Sequence, residues 1–146
     1  MERIGRDKCK NNNYNDLFLR KSQLEGTMYV EFKYSSAEKG FWNEDSYYIN
    51  GDIFEYLLDD FEKSKEDFSM FRENYFTFDE VEVLINNLKK IDLEVISDDF
   101  IKNSSKKDLR IKKIQIINSF FILIQNIEAW LMRALELGVN VIILGI

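Results

Sequence analysis

Hydrophobic and polar residues alternate in three segments of the chain, and strict alternation is the pattern of a half-buried β-strand. In residues 27–34 every even position is hydrophobic, so one side of a predicted strand faces a core. A second, shorter strand is predicted over residues 46–49, where the turn pair Asn50-Gly51 closes it. Residues 91–96 also alternate, with aliphatic against acidic side chains, and predict a third strand.

Helical spacing of the hydrophobic residues predicts two helices in the middle of the chain. One covers residues 52–65 with Asp52 as its N-cap, and its apolar positions are spaced three and four apart. The other begins at a capping box formed by Thr77 and Glu80. The aromatic-rich residues 67–76 between them are predicted to be turn-like. Residues 16–25 fit either a short helix or a short strand.

The last third of the chain is the most apolar part and should organise the core. Residues 106–137 are predicted to form a helix that ends at Gly138, because polar residues recur there near the helical period. A strand over residues 111–125 is the alternative, since isoleucine is dense there and β-branched residues suit strands. Residues 139–146 predict a strand with one polar side chain, Asn140, and so an interior position in the sheet.

These elements together predict one α+β domain over residues 1–146, with residues 1–15 flexible. We expect a mostly antiparallel sheet of about four to six strands packed against about two to four helices. The C-terminal helix should lead into a buried C-terminal strand. The chain length of 146 residues is sufficient for one hydrophobic core.

Composition excludes several kinds of chemistry. The chain has no histidine, so neither a histidine-dependent triad nor a histidine metal site can form. Its one cysteine, Cys9, cannot form an internal disulfide, and its glycines match no phosphate-binding loop. Three adjacent acidic pairs, at 59–60, 79–80 and 98–99, are expected to be solvated surface rather than catalytic or metal-binding groups. We therefore predict no catalytic residues, no cofactor and no metal.

Two segments bear on where the protein is located: the N-terminus and residues 114–137. The N-terminus has no apolar run of the kind found in signal peptides. Polar residues interrupt the apolar segment 114–137 before it reaches the ~18 apolar residues of a membrane span. The sequence therefore predicts a cytoplasmic protein with no membrane contact.

Charge is distributed unevenly along the chain. Residues 35–100 contain six Lys or Arg and eighteen Asp or Glu, a net charge of −12, whereas the whole chain has −6. Such a segment repels nucleic acid and attracts basic surfaces. A basic cluster at 106–113 (Lys106, Lys107, Arg110, Lys112 and Lys113) is expected to balance this charge, and nucleic-acid contact is the alternative for it.

Two acidic segments are candidates for recognition of a basic partner. The first is the loop containing Trp42, Glu44 and Asp45, because an aromatic anchor beside charged residues is typical of interfaces. The alternative for this loop is that its aromatic residues fold into the core. The second is the acidic face of the helix 52–65. The predicted partner-binding residues are Trp42, Glu44, Asp45, Asp59, Asp60 and Glu62.

The chain also resembles a known class of proteins in the order and style of its segments. These segments are the strand Tyr29-Val30-Glu31-Phe32, the acidic amphipathic helix around residues 57–61, and a helix with Glu128-Ala129-Trp130 followed by residues 141–146. The chain is similar here to small acidic immunity proteins of bacterial contact-dependent growth inhibition and polymorphic toxin systems. The resemblance implies a cytoplasmic protein that neutralises a cognate toxin domain, often a nuclease with a basic cleft.

Two other functions remain open. The chain could be a non-catalytic regulatory or assembly domain that dimerises through its apolar C-terminal segment, although a monomer or weak dimer is expected. A carboxylate-dependent enzyme is the third hypothesis.

Overall fold

The strands of the protein form one five-stranded antiparallel sheet. A computed structural model describes residues 17–26, 28–37, 39–103 and 112–145, so the prediction for residues 1–15, which include Cys9, lies outside the described residues. The strands are Leu19–Arg20 (β1), Tyr29–Tyr34 (β2), Tyr47–Asn50 (β3), Glu73–Phe76 (β4) and Val141–Leu144 (β5). The spatial order is β1-β3-β2-β5-β4. The predicted strands at 27–34, 46–49 and 139–146 are thus confirmed, and β5 has a neighbour on both sides.

Helices cover the inner face of this sheet. They are Gly51–Phe54 (α1), Leu58–Ser64 (α2), Phe78–Lys89 (α3), Leu93–Asn103 (α4) and Lys113–Leu137 (α5), with a short 3₁₀ turn at Lys21–Gln23. The predicted α+β class, and its C-terminal helix followed by a strand, are confirmed. The core is assembled around the Phe32 ring on β2, which contacts aromatic rings from α1, α2 and α5 at centroid distances of 6.1, 6.0 and 5.6 Å.

The predicted helix at 52–65 is divided into two. Asn50, not Asp52, is the N-cap of α1, because its side chain accepts a hydrogen bond from the Asp52 N–H at 2.8 Å. Residues 55–57 then form a tight turn, in which the Leu57 N–H donates to the Phe54 carbonyl at 2.8 Å. The turn lets both Phe54 and Leu57 reach the core, where both are fully buried.

The strand predicted at 91–96 is wrong, because this segment begins the helix α4. Asp92 caps that helix through its Oδ1, which accepts from the backbone N–H groups of Glu94 and Val95 at 3.0 and 3.2 Å. The alternation that suggests a strand does not match the burial of the side chains. In the predicted strand Val95 would face the core, but it is 56% exposed, whereas the next residue, Ile96, is buried. The segment is therefore helical despite its two-residue periodicity, because the Asp92 side chain caps the start of the helix.

The turn predicted at 67–76 is only partly right, because its last four residues form the edge strand β4. These residues alternate, with Asn74 and Phe76 buried and Glu73 and Tyr75 exposed. The buried Asn74 side chain fits a strand because it bonds to backbone groups of β5 and of the preceding turn. Residues 16–25, which were ambiguous, supply β1 and the 3₁₀ turn.

The long helix α5 settles the alternative at 111–125 in favour of helix from Lys113 onward. Nine of its side chains are buried between the sheet and the other helices. Among the described helices it alone is long and apolar enough to cross a membrane, with a mean hydropathy of 1.3 over an 18-residue window. A helix in a protein core can have the same length and hydropathy. Trp130 shows the packing: its ring stacks on Tyr34 of β2 at a centroid distance of 4.6 Å.

Candidate functional site

A buried carboxylate on the outer face of the sheet holds the loop between β2 and β3 (residues 35–46, the β2–β3 loop). The Glu31 side chain is 2% exposed and accepts four hydrogen bonds. The backbone N–H groups of Trp42 and Asn43 donate at 2.8 and 3.2 Å, and the Ser46 hydroxyl donates at 2.6 Å. The Tyr48 hydroxyl shares its one proton between Glu31 at 3.3 Å and the Asn43 carbonyl at 2.8 Å. Glu31 thus fixes the conformation of the loop.

Trp42 lies on this outer face and not in the core. Its backbone has a φ of 66°, which is rare for a non-glycine residue, and the hydrogen bonds to Glu31 stabilise it there. Its ring stacks on Tyr48 at a centroid distance of 5.3 Å and remains 41% exposed. Burial, followed by the charge of Glu31, raises the pKa of Tyr48 above its usual range. Glu44 and Asp45 are exposed within this loop, near its C-terminal end.

A second candidate surface lies among the helices. A groove of about 450 Å³ separates the α1–α2 segment from the end of α3 and the start of α4. We call it the acidic groove; it is lined by Glu55, Tyr56, Asp59, Asp60, Lys90, Ile91, Asp92, Val95, Ile96 and Asp99. Two of the six predicted partner-binding residues, Asp59 and Asp60, belong to it. Glu62 is exposed on the same helix but does not line the groove.

The six predicted residues are therefore not brought together. Trp42 stacks on the outer face of the sheet, whereas the α2 residue Phe61 contacts Phe32 on the inner face. The sheet therefore lies between Trp42 and the carboxylates of α2. A partner that grips Asp59 and Asp60 would have to pass around the sheet to reach Trp42.

Charge in the acidic groove is only weakly compensated. The groove has five carboxylates and one lysine, Lys90, and none of the five forms an ion pair within the described residues. Burial raises the pKa of Asp60, and the neighbouring Asp59 adds to the effect, although Lys63 opposes it. Tyr56, Ile91 and Ile96 give the groove an apolar floor. Such a site suits a cationic group on an apolar stem.

The expected balance between the basic cluster and the acidic middle is confirmed for Lys113. Its Nζ lies 3.0 Å from an Asp98 oxygen and 3.9 Å from a Glu94 oxygen, and the Asp98 contact raises the pKa of Lys113. Lys112 is exposed, and Lys106, Lys107 and Arg110 lie outside the described residues. These contacts neutralise one side of α4 and leave the groove side acidic.

The acidic pairs have different surroundings. Glu80 completes the capping box with Thr77, and its carboxylate also lies 3.7 Å from the Nζ of Lys65. Asp98 is paired with Lys113. No group of three or more acidic or cysteine side chains in the described part of the chain is arranged to hold a metal ion.

Sequence reasoning missed three carboxylates of the acidic groove and the buried Glu31. Glu55 precedes Asp59 by four residues, a spacing that puts both on one face of a helical segment. Asp92 and Asp99 are seven residues apart, but the strand predicted at 91–96 separated them. Glu31 gave no signal, because its burial depends on a loop that folds back over the strand.

Neither a protein-family model nor a curated protein nor a solved structure matches this chain.

Proposed function

We propose that this protein is an immunity protein that binds a cognate toxin domain through its acidic groove. The observation that carries the proposal is the acidic groove itself, with an apolar floor and five carboxylates that have no ion-pair partner among the described residues. A like-charged groove of this kind is unfavourable in the free protein, and a cation from a partner would relieve it. The resemblance to acidic immunity proteins supports the same assignment.

The chemistry of the groove fits a basic protein surface. A lysine or arginine side chain can lay its apolar stem on Tyr56 and Ile91 and direct its charge to Asp59 and Asp60. Complementary charge raises association rates above the ~10⁵–10⁶ M⁻¹s⁻¹ of neutral pairs. A toxin that cleaves nucleic acid has a basic cleft, so the inhibitor would occupy it by imitating the charge of the substrate.

The geometry ranks the predicted partner-binding residues. Asp59 and Asp60 would make the central contacts, with Glu62 on the neighbouring turn of α2. Trp42 would take part only if the partner also reaches the outer side of the sheet, and Glu44 and Asp45 only if it reaches the β1–β3 edge. In this proposal the protein acts in the cytoplasm as a monomer or weak dimer and catalyses no reaction.

Binding should be measured against the C-terminal domain of the protein that the neighbouring upstream gene encodes, which the proposal expects to be the toxin. The double variant D59N/D60N keeps the shape of the groove and removes two charges, and we expect it to weaken affinity by about tenfold or more. Glu82→Gln on the exposed side of α3 is the matched control and should leave affinity unchanged.

Salt provides the second measurement. Affinity of the wild type should fall steadily as ionic strength rises, because screening weakens contacts between exposed charges. Affinity that is insensitive to salt, together with a D59N/D60N variant that binds as the wild type does, would refute the acidic groove as the binding site.

One observation favours the alternative of an assembly domain. On α5, the apolar side chains Ile114, Phe121 and Met132 are exposed on one side of the helix. A dimer through this side would cover them. Sedimentation of the free protein decides between the two functions: a tight dimer that Phe121→Asp dissociates would favour assembly.

A further inference from the structure

A second groove lies between α5 and the β1–β3 edge of the sheet. Its volume is about 690 Å³, and small-molecule sites usually have about 300–1,000 Å³. We call it the aromatic groove. The inference drawn from it does not depend on the proposed immunity function, because it lies outside the acidic groove and shares none of its lining residues.

Two stacked pairs of aromatic rings line this groove. Phe18 stacks on Tyr47, and Tyr34 stacks on Trp130, each with ring centroids 4.6 Å apart and planes 13° from parallel. Phe18 also contacts Trp130 edge to face at 6.2 Å, which joins the pairs. The Tyr34 hydroxyl donates to the Trp130 carbonyl at 2.7 Å. The rings are therefore held in place. Phe18 and Trp130 are only 6% and 8% exposed, so the apolar surface that the groove presents comes mainly from the partly exposed Tyr34 and Tyr47.

Arginine side chains converge on the same groove. Of the three arginines in the described part of the chain, Arg20 and Arg133 line it, whereas Arg72 lies near Asp67 elsewhere. The Arg20 guanidinium lies 4.6 Å from the Tyr47 ring centroid and donates to the Glu44 carbonyl at 3.0 Å, which fixes its orientation. A guanidinium binds phosphate or carboxylate oxygens through two parallel hydrogen bonds.

The remaining polar groups of the groove suit the edge of a heteroaromatic ring. Asp45 forms no ion pair in the described chain, and its carboxylate can accept from a ring N–H or amino group. The Asn126 amide can both donate and accept. Planar walls, a hydrogen-bonding edge and an anion site are the three features that a nucleotide requires.

We infer that the aromatic groove binds a nucleoside monophosphate, with its base against the aromatic rings and its phosphate at Arg20 and Arg133. A polynucleotide does not fit as well, because the net charge of −12 in residues 35–100 repels a long phosphate chain. A single phosphate needs only two guanidinium groups, and Arg133 would exchange its exposed pair with Glu136, at 3.4 Å, for the phosphate.

Fluorescence of Trp130 can test this inference. The chain has two tryptophans, so Trp42→Phe leaves Trp130 as the single reporter. We expect AMP or GMP to quench it with saturation, and the corresponding nucleoside and inorganic phosphate to bind about tenfold or more weakly, since each supplies only part of the contacts. Calorimetry on the wild-type protein should give the same order of affinities.

Variants of the two arginines identify the anion site. Arg133→Ala and Arg20→Lys should each weaken AMP binding about tenfold, because one removes a charge and the other removes the planar fork. Arg72→Ala, an exposed arginine outside the groove, is the matched control and should bind as the wild type does. Circular dichroism of each variant establishes that it is folded.

Three results with mononucleotides would overturn the inference, and a fourth comes from an oligonucleotide. These are the absence of saturable quenching at millimolar nucleotide, equal affinity for the nucleoside without its phosphate, and equal affinity in Arg133→Ala and the wild type. A single-stranded oligonucleotide that binds more tightly than AMP would also overturn it, in favour of a nucleic-acid surface.

Discussion

The substitution Glu31→Gln should destabilise the protein and release the β2–β3 loop. Glutamine has nearly the same shape as glutamate, but it replaces one carboxylate oxygen with a donor. Three of the four hydrogen bonds converge on Glu31 Oε2, and the fourth, from the Trp42 N–H, ends on Oε1 at 2.8 Å. A glutamine oxygen can serve the three donors, and its amide nitrogen then faces the Trp42 N–H.

The magnitude follows from these four bonds. Hydrogen bonds to a charged group contribute about 1.5–3 kcal/mol and neutral ones about 0.5–1.5 kcal/mol, so the retained bonds from Asn43 and Ser46 weaken by about 1 kcal/mol each, and the shared bond from Tyr48 weakens by less. The unsatisfied Trp42 N–H costs about 1–3 kcal/mol more. Removal of a buried charge offsets part of this loss. We expect a net loss of about 2–4 kcal/mol, which corresponds to a fall in Tm of about 5–15 °C.

Urea unfolding and thermal unfolding would measure this loss. Near-ultraviolet circular dichroism reports on the loop separately, because the stack of Trp42 on Tyr48 should give a signal that Glu31→Gln removes. The exposed Glu82→Gln is the control and should change stability by less than about 0.5 kcal/mol. If Glu31→Gln unfolds at the same urea concentration as the wild type, the buried carboxylate is not what holds the loop.

Three further substitutions test other parts of the structure. Gly145→Ala should cost about 1–3 kcal/mol or more in urea unfolding, because a Cβ there would lie 1.8 Å from the Met70 carbonyl oxygen; an unchanged midpoint would contradict this packing. Burial raises the pKa of Tyr34 to about 12, so Tyr34→Phe should remove the step near pH 12 from a tyrosinate absorbance titration and leave the later step of Tyr48 in place. The pKa of Asp60 is raised above its unfolded value of 3.8, so its contribution to stability is present below that pH and is lost as pH rises through the folded pKa. Asp60→Asn should therefore be at least as stable as the wild type at neutral pH, with the difference closing below pH 3.8.

The sequence predicts most of the sheet and of the longer helices, because their patterns are long and consistent. The strand β2 has six alternating residues, and α3 combines a capping box with hydrophobic residues at helical spacing. Predictions are wrong where a segment is short or where two signals conflict. The four residues of β4 alternate, but the asparagine at a buried position obscures the pattern. In α4 the Asp92 cap competes with a two-residue alternation, and the cap prevails.

The candidate surfaces were harder to predict because each depends on contacts between distant segments. The acidic groove joins residues 55–60 to residues 90–99, and only the packing of the helices brings them together. The aromatic groove joins Phe18 and Tyr47 to Trp130 across more than 80 residues of sequence. No spacing rule within one segment can reveal such sites. Acidic composition indicated the kind of partner, but not the place where it binds.

The acidic residues that the structure describes fall into three environments, and this division explains why one surface should bind a cation. Glu31 is buried and its oxygens are satisfied by four donors. Glu94 and Asp98 are paired with Lys113. Among the groove carboxylates Asp92 caps α4, whereas Asp59 and Asp60 form no ion pair within the described residues, so ionisation of Asp60 there lowers the stability of the free protein. In D59N/D60N the two measurements should consequently move in opposite directions: the free protein is at least as stable as the wild type at neutral pH, and its complex with a basic partner is weaker. Carboxylates with a purely structural role would give a loss of stability and no change in binding.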